Sequence, residues 1–301
     1  MIRPASRSEV KPLIGLYSES GNGKTYGALL LAKGYVGDMS KVLMIETESG
    51  RGEVFAEDED VGGYQVSPIR DDFSPEAYGA AILEANKDPR GFKALIIDSA
   101  SHEWEAAGGV LSLAAENEAA GKKGMLVWQG PKMRHLREFM LRVLGTPIPL
   151  VILCMRAKYP MRQGIVNGKK DWVRSEILEP KQAEDILFDA LIHAWIDKEH
   201  NLHITKCSKD ELRFVFVDGK PITIETGRRL AEWSRGTKAE PTDADKHFLT
   251  EAVKAIAAAK SKDDLEKWAE ENAGILSTSP YKAAIREDYG QALHRLVPVA
   301  A

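Results

Sequence analysis

The stretch Ser18-Glu19-Ser20-Gly21-Asn22-Gly23-Lys24-Thr25 constrains this chain more than any other. It lies between a short apolar run, residues 13–17, and a segment whose Ala28, Leu29, Leu30, Leu31 and Ala32 suit a buried helix. The order strand, glycine-rich turn, helix is therefore written into the chain. The pattern is close to GxxxxGK[ST], with Ser18 in place of the first glycine. Gly21 and Gly23 let backbone N–H groups turn toward phosphate oxygens, and the helix that follows adds the positive end of its dipole. On this reading Ser20, Gly21, Asn22, Gly23, Lys24, Thr25 and Tyr26 cradle ATP, Lys24 reaching the terminal phosphates and Thr25 ligating Mg2+. The competing reading, a chance glycine-rich turn, does not account for the flanking strand and helix.

Two further apolar runs end in carboxylates. Residues 94–97 lead into Asp98, the position of a magnesium-positioning (Walker B) carboxylate; a helix N-cap or turn Asp is the alternative. Ser99 follows, so a water-activating base must come from elsewhere. Met44-Ile45-Glu46-Thr47-Glu48 offers one at the end of a neighbouring strand, where sites of parallel sheets gather. Glu48 is the candidate base and Glu46, two residues away on the same face, the second choice; a surface carboxylate paired with Arg51 is the alternative. Arg156 and Lys158 close the apolar run 149–155. Beside the glycine-rich strand they would face the phosphates and stabilise charge there, unless they serve a salt bridge.

Short apolar runs at 42–45, 64–66, 94–97 and 149–155 alternate with helical spacing at 74–86 and 129–144. That alternation predicts an α/β fold with a mostly parallel sheet flanked by helices. Residues 190–196, 202–206 and 213–217 read as adjacent strands, and Asp218-Gly219 as a tight turn leading into 221–224, which together predict an antiparallel edge. The predicted division is a domain over 1–235, a polar linker over 236–245 and a helical module over 246–301, its helices starting at Thr242, at Ser261 with Asp264 as a capping box, and at Ser279-Pro280.

The chain has 301 residues, 44% hydrophobic and 29% charged, with a net charge of −4. That composition excludes wholesale disorder and any global attraction to nucleic acid, so such binding must be local. The two cysteines, Cys154 and Cys207, read as reduced packing residues. A polar N-terminus, and no run near about 18 apolar residues, predict a cytoplasmic protein with no membrane partner. One local candidate for nucleic acid is the segment 158–174, where Tyr159, Arg162, Lys169, Lys170, Trp172 and Arg174 interleave cations and rings around an Asn167-Gly168 turn. Cations follow phosphates and rings stack on the bases of a single strand; a solvated hairpin is the alternative.

In these features, taken in order, the chain resembles a RecA-type ATPase, more narrowly the phage-encoded minimal RecA-like proteins of the AAA-domain and phage nucleotide-binding class. The resemblance rests on residues 18–25, Ile45-Glu46-Thr47-Glu48, Ile96-Ile97-Asp98-Ser99, Trp128 ahead of the 132–144 helix, and Arg156-Ala157-Lys158 closing a strand. It implies a RecA-like P-loop core over about residues 10–235, ATP turnover coupled to single-stranded DNA in recombination, annealing or replication, and self-association into a ring or filament. It also implies partners such as a single-strand binding protein or other phage replication proteins, and a site in the host cytoplasm. Lys206 and Lys209, at the end of a late strand, resemble the basic finger that a neighbouring subunit of such assemblies supplies; an ordinary solvated strand end fits equally. Two other functions stay open: a small-molecule phosphotransferase, and a nucleotide-gated assembly factor without hydrolysis.

Overall fold

Strands that are apolar on both faces need a layer on each side, and the long apolar runs of this chain meet that need as a central sheet. The computed structural model describes residues 5–7, 10–166, 169–236, 243–279 and 281–296. In chain order the elements are β1 (Leu13–Ser18), α1 (Lys24–Val36), β2 (Val42–Glu46), β3 (Gln65–Pro68), α2 (Pro75–Lys87), β4 (Ala94–Asp98), α3 (Ser101–Glu105), α4 (Val110–Ala119), α5 (Met125–Arg134), α6 (Leu141–Gly145) and β5 (Leu150–Lys158). Then come β6 (Met161–Val166), β7 (Lys169–Arg174), β8 (Glu179–Pro180), α7 (Asp185–Asp189), β9 (Ile192–Ile196), β10 (Leu202–Cys207) and α8 (Ile224–Ser234). The last four helices are α9 (Asp243–Ala258), α10 (Lys262–Glu271), α11 (Ala273–Thr278) and α12 (Lys282–Leu296).

The sheet runs β3-β2-β4-β5-β1-β9-β10. Every neighbouring pair is parallel except β9 with β10. The carboxyl ends of β1, β5, β4 and β2 therefore share one edge, with Ser18 level with Arg156 and Glu46 level with Asp98. Two-residue alternation sends Ile14, Leu16, Met44, Ile96 and Ile152 into one core with α1 and α8. Leu13, Tyr17, Ile45, Ile97 and Leu153 go into the other, with Tyr78 and Ile82 of α2 and Phe139 and Val143 beyond α5.

The contact of α1 with α8 is close enough to require two glycines. A Cβ on Gly34 would lie 1.8 Å from the Ile224 carbonyl oxygen, and one on Gly227 would lie 2.1 Å from that of Leu31. Neither obstacle is a side chain that can swing away. Gly34→Val is therefore expected to cost about 3 kcal/mol or more, read as a lower midpoint in urea unfolding; an unchanged midpoint would mean the helices do not meet this way.

Several expectations need correcting. Residues 213–217 are not a strand: Asp210–Phe214 is a 3-10 turn, which sends Leu212, Val215 and Phe216 into the core together. Residues 221–224 lead into α8, with Thr223 as its cap in a capping box with Thr226. The strand at 192–196 pairs parallel with β1, so the antiparallel edge of the sheet is β10. The helix expected over 129–144 starts earlier, at Met125, and passes through a π-helical turn, His135–Met140, before α6. Pro131 sits inside α5 and offers no N–H to the Val127 carbonyl. Asn117 Nδ2 of α4 donates to that carbonyl instead, at 2.9 Å.

Helices α9 to α12 gather their own apolar cluster around Ala252, Ile256, Leu265, Ile285 and Ala292. The Ser261–Asp264 capping box is present, whereas the starts read at Thr242 and Pro280 lie outside the described residues. Asp243–Asp245, expected in the linker, are helical, and most of the remaining linker lies outside the described residues. Among the described residues no helix is long and apolar enough to cross a membrane.

Candidate functional site

At the shared carboxyl edge the chain leaves β1, turns through residues 19–23 and enters α1. Gly21 and Gly23 have φ of +89° and +86°, a left-handed backbone that glycine adopts without strain. The loop is anchored to the β9–β10 turn. Asn22 Nδ2 donates to the Ile196 carbonyl at 3.1 Å, and His200 Nδ1 donates to the Asn22 carbonyl at 3.1 Å. A Cβ on Gly23 would come within 3.0 Å of that imidazole nitrogen.

Lys24 opens α1 and folds back over the loop. Its Nζ donates to the Ser18 hydroxyl at 3.0 Å, the Glu19 carbonyl at 3.0 Å and the Ser18 carbonyl at 3.3 Å. The serine that replaces the motif's first glycine thus supplies one more oxygen for the ammonium. Burial pulls the Lys24 amine below its ordinary value, with the Cys154 thiol, Asp98 and Glu48 acting in the opposite direction. One residue on, Thr25 Oγ1 donates to Asp98 Oδ2 at 2.6 Å. Burial pushes the Asp98 carboxyl up to about 6, against the pull of the Thr25 hydrogen bond. A half-buried amine and a buried carboxyl, each discouraged from carrying charge, are groups that a phosphate and a divalent cation would respectively relieve.

β5 lies between β1 and β4, so its end carries Arg156 to the middle of the site. Arg156 Nε donates to Glu48 Oε1 at 2.9 Å, and Arg51 approaches Glu48 Oε2 at 3.6 Å. The salt-bridge readings of Glu48 and Arg156 thus both hold, and both residues nevertheless line the same pocket. That pocket, about 250 Å3, is walled by Ser20, Gly21, Gly23, Lys24, Thr25, Tyr26, Glu48, Arg51, Gly52, Val54, Phe55, Asp98 and Arg156. Glu46 is not among them. It is wholly buried, pairs with Arg70 and accepts from the backbone N–H of Glu48 at 2.7 Å and of Gly50 at 3.0 Å. The turn after β2 folds over Glu46, which removes it as the second-choice base and makes it the anchor that fixes Glu48.

Behind the pocket stands a buried polar network that sequence patterning did not single out. Thr47 Oγ1 accepts from the Ser99 N–H at 2.7 Å and contacts His102 Nδ1 at 2.8 Å, while Tyr78 Oη donates to the Ser99 carbonyl at 2.9 Å. The network ties the end of β2 to the end of β4, holding Glu48 and Asp98 in register. Gly52, Val54, Phe55 and His200 were also missed, since they lie on turns with no periodicity; Arg51 was named only as the partner of Glu48 and not as part of the pocket wall.

The remaining predicted residues divide. Lys158 is exposed at the end of β5, its backbone level with Glu179. Tyr159 lies under the Arg174 guanidinium, 4.5 Å from ring to Cζ, and Arg174 reaches Glu19 of the loop at 3.9 Å. Arg162 pairs with Glu179. β6 and β7 form their own antiparallel ribbon, with the Asn167-Gly168 turn outside the described residues. Alternation puts Lys170, Trp172 and Arg174 on one face and Arg162, opposite Val173, on the other; the side chain of Lys169 lies outside the described residues. Trp172 is 61% exposed. Lys206 and Lys209 do not join the site. The reversal at 197–201 carries β10 back along β9, so Cys207 lies level with Ile192, at the end of the sheet remote from the loop. There Lys206 Nζ donates to the Leu187 and Phe188 carbonyls at 2.7 and 2.6 Å, and Lys209 is exposed ahead of a 3-10 turn.

Among the described residues no cluster of three or more His, Cys, Asp or Glu could hold a metal by itself. The Thr25 hydroxyl with one carboxylate fits magnesium instead, which takes few protein ligands and completes its shell with water and substrate phosphates. Neither a protein-family model nor a curated protein matches the chain.

Proposed function

We propose that this chain is a RecA-like P-loop ATPase that binds ATP with Mg2+ and couples its hydrolysis to single-stranded DNA. The observation that carries the reading is the 2.6 Å contact of Thr25 with Asp98 beside the loop-folded Lys24. It joins two motifs 73 residues apart at the carboxyl edge of a parallel sheet.

On this reading the triphosphate occupies the loop where Lys24 now meets the Ser18 and Glu19 oxygens, and Thr25 and Asp98 hold Mg2+, which supplies charge neutralisation at the phosphates. Tyr26 and Phe55, whose rings lie 5.2 Å apart at the pocket wall, give the nucleobase an aromatic surface. Arg156 exchanges its contact with Glu48 for the terminal phosphate and stabilises the charge developing there. Glu48, so released and still positioned by Glu46, accepts the proton of the attacking water. Lys158, exposed at the end of the same strand, adds positive charge nearby.

DNA coupling draws support from the ribbon. Trp172 and Lys170 offer a ring and a cation on one face, the arrangement that serves stacking and phosphate contact. Arg174 connects that face to Glu19, whose carbonyl holds Lys24. Self-association into a ring or filament draws support from the exposed Met125, Leu126, Met133, Leu136, Leu141 and Leu144, an apolar surface of the kind that marks interfaces.

The test is phosphate release with and without oligothymidylate, for the native chain and for Lys170→Glu with Trp172→Ala. DNA-stimulated turnover, weakened at least tenfold in its DNA dependence by the double variant, is expected. Turnover indifferent to DNA removes the coupling. Release that requires a small phosphoryl acceptor turns the reading to a phosphotransferase, and ATP binding without release turns it to an assembly factor.

A further inference from the structure

The reversal between β9 and β10 closes on itself without help from the glycine-rich loop. The Asp197 N–H donates to the Asn201 carbonyl at 3.0 Å, and the His200 N–H to the Asp197 carbonyl at 3.1 Å. The Asp197 carboxylate adds two ties, accepting from the Asn201 N–H and from His203 Nε2, each at 2.8 Å. His203 in turn stacks on Trp195 of β9, with ring centroids 4.1 Å apart. None of these contacts uses the His200 side chain, so the turn presents that imidazole from a frame already fixed.

His200 has φ of +67°, a left-handed backbone that glycine adopts freely and a residue with a Cβ does not. Its imidazole is exposed, and Nδ1 meets the Asn22 carbonyl at 3.1 Å. A carbonyl can only accept, so Nδ1 carries the proton. The same turn takes the Asn22 side chain, whose Nδ2 donates to the Ile196 carbonyl at 3.1 Å. Neither Asn22 nor His200 lines the pocket, whereas Gly21, Gly23 and Lys24 do.

That division matters because the peptide group between Asn22 and Gly23 is planar and trans, with its C=O and N–H pointing opposite ways. Fixing the carbonyl on the turn directs the Gly23 N–H away from it. Gly21 and Gly23 have no Cβ to resist a flip of this peptide. A flipped peptide would set a carbonyl oxygen where phosphate oxygens need a donor, and the two would repel.

We propose that His200 is a positioning residue of the phosphate site: by holding the Asn22 carbonyl it locks the Asn22–Gly23 peptide with its N–H available to the triphosphate. The inference rests on the reading of this loop as an ATP site. It assigns to the β9–β10 turn a share in nucleotide affinity although no atom of His200 touches the pocket.

The experiment is calorimetric titration of the full chain with ATP and Mg2+, beside the thermal unfolding midpoint of each nucleotide-free variant. His200→Gly relieves the left-handed backbone and removes the imidazole, so it is expected to leave the midpoint no lower while binding ATP about fivefold more weakly or worse, the effect of one hydrogen bond lost from the loop. His200→Asn is expected to restore most of the affinity. Its Nδ2 stands as many bonds from the backbone as the imidazole Nδ1, and asparagine tolerates the left-handed region. ATP affinity within twofold of native in His200→Gly overturns the inference. So does a His200→Asn variant as weak as His200→Gly, or an affinity loss accompanied by a lower midpoint, which would make His200 a part of the scaffold only. Absence of ATP binding by the native chain removes the phosphate cradle and this inference with it, whereas native binding that ignores His200→Gly removes this inference alone.

Discussion

Lys24→Ala is expected to weaken ATP binding at least about 100-fold, a loss of about 2.7 kcal/mol or more, while leaving the thermal unfolding midpoint of the nucleotide-free protein nearly unchanged. The ammonium is half-buried, and that burial disfavours its charge. In the nucleotide-free chain it rests on oxygens of its own loop, the Ser18 hydroxyl and the Ser18 and Glu19 carbonyls. Those contacts are neutral acceptors, so removing them costs the fold little. A triphosphate offers negatively charged oxygens in the same place, so the ammonium there meets an opposite charge and not merely a neutral acceptor. Calorimetric titration with ATP and Mg2+ measures the difference. An affinity within threefold of the native chain would mean that the residue 18–25 loop is not a phosphate cradle.

Glu48→Gln is expected to lower kcat by about 100-fold or more with ATP affinity within about threefold, since a positioned general base contributes about 100-fold to 10,000-fold. Glutamine keeps the shape and can still accept the Arg156 Nε–H that Glu48 now accepts at 2.9 Å, so the scaffold survives while the proton acceptor is lost. Single-turnover phosphate release separates this from a binding defect. Glu46→Gln serves as the contrast. Glu46 sits outside the pocket under the Arg70 guanidinium and the turn amides, so its loss is expected to lower stability as well as turnover. If Glu48→Gln turned over ATP at the native rate, the base would have to be sought elsewhere in the pocket.

The two substitutions also mark how far the sequence alone reaches. The loop from Ser18 to Thr25 was legible because its chemistry is local: two glycines, a lysine and a threonine at fixed spacing dictate a turn and a helix start. Asp98, Glu48 and Arg156 were legible one step less directly, as polar residues ending apolar runs. In a parallel sheet all such ends fall on one edge. Fold class followed from the same runs.

The choice between Glu46 and Glu48 was not legible, because alternation puts both on one face and only the path of the turn after β2 separates them. That turn buries Glu46 against Arg70, a residue 24 positions away. The strand order was not legible either, and it is what inserts Arg156 of β5 between the glycine-rich loop and Asp98. Residues 213–217 and 221–224 misled for a related reason. Their apolar side chains suit a strand, but the core that received them is shaped by α1, so a 3-10 turn and α8 fill it instead. Lys206 and Lys209 end a strand just as Arg156 does, yet antiparallel pairing carries them to the opposite end of the sheet.

By itself the sequence determined the elements whose causes lie within a few residues: the glycine-rich turn, the apolar strands and the Ser261 cap. The tertiary structure alone decided which strand ends meet, which of two carboxylates faces the pocket and which cations reach it. Those outcomes depend on strand order, direction and close helix contact, and all three are set by residues far apart along the chain.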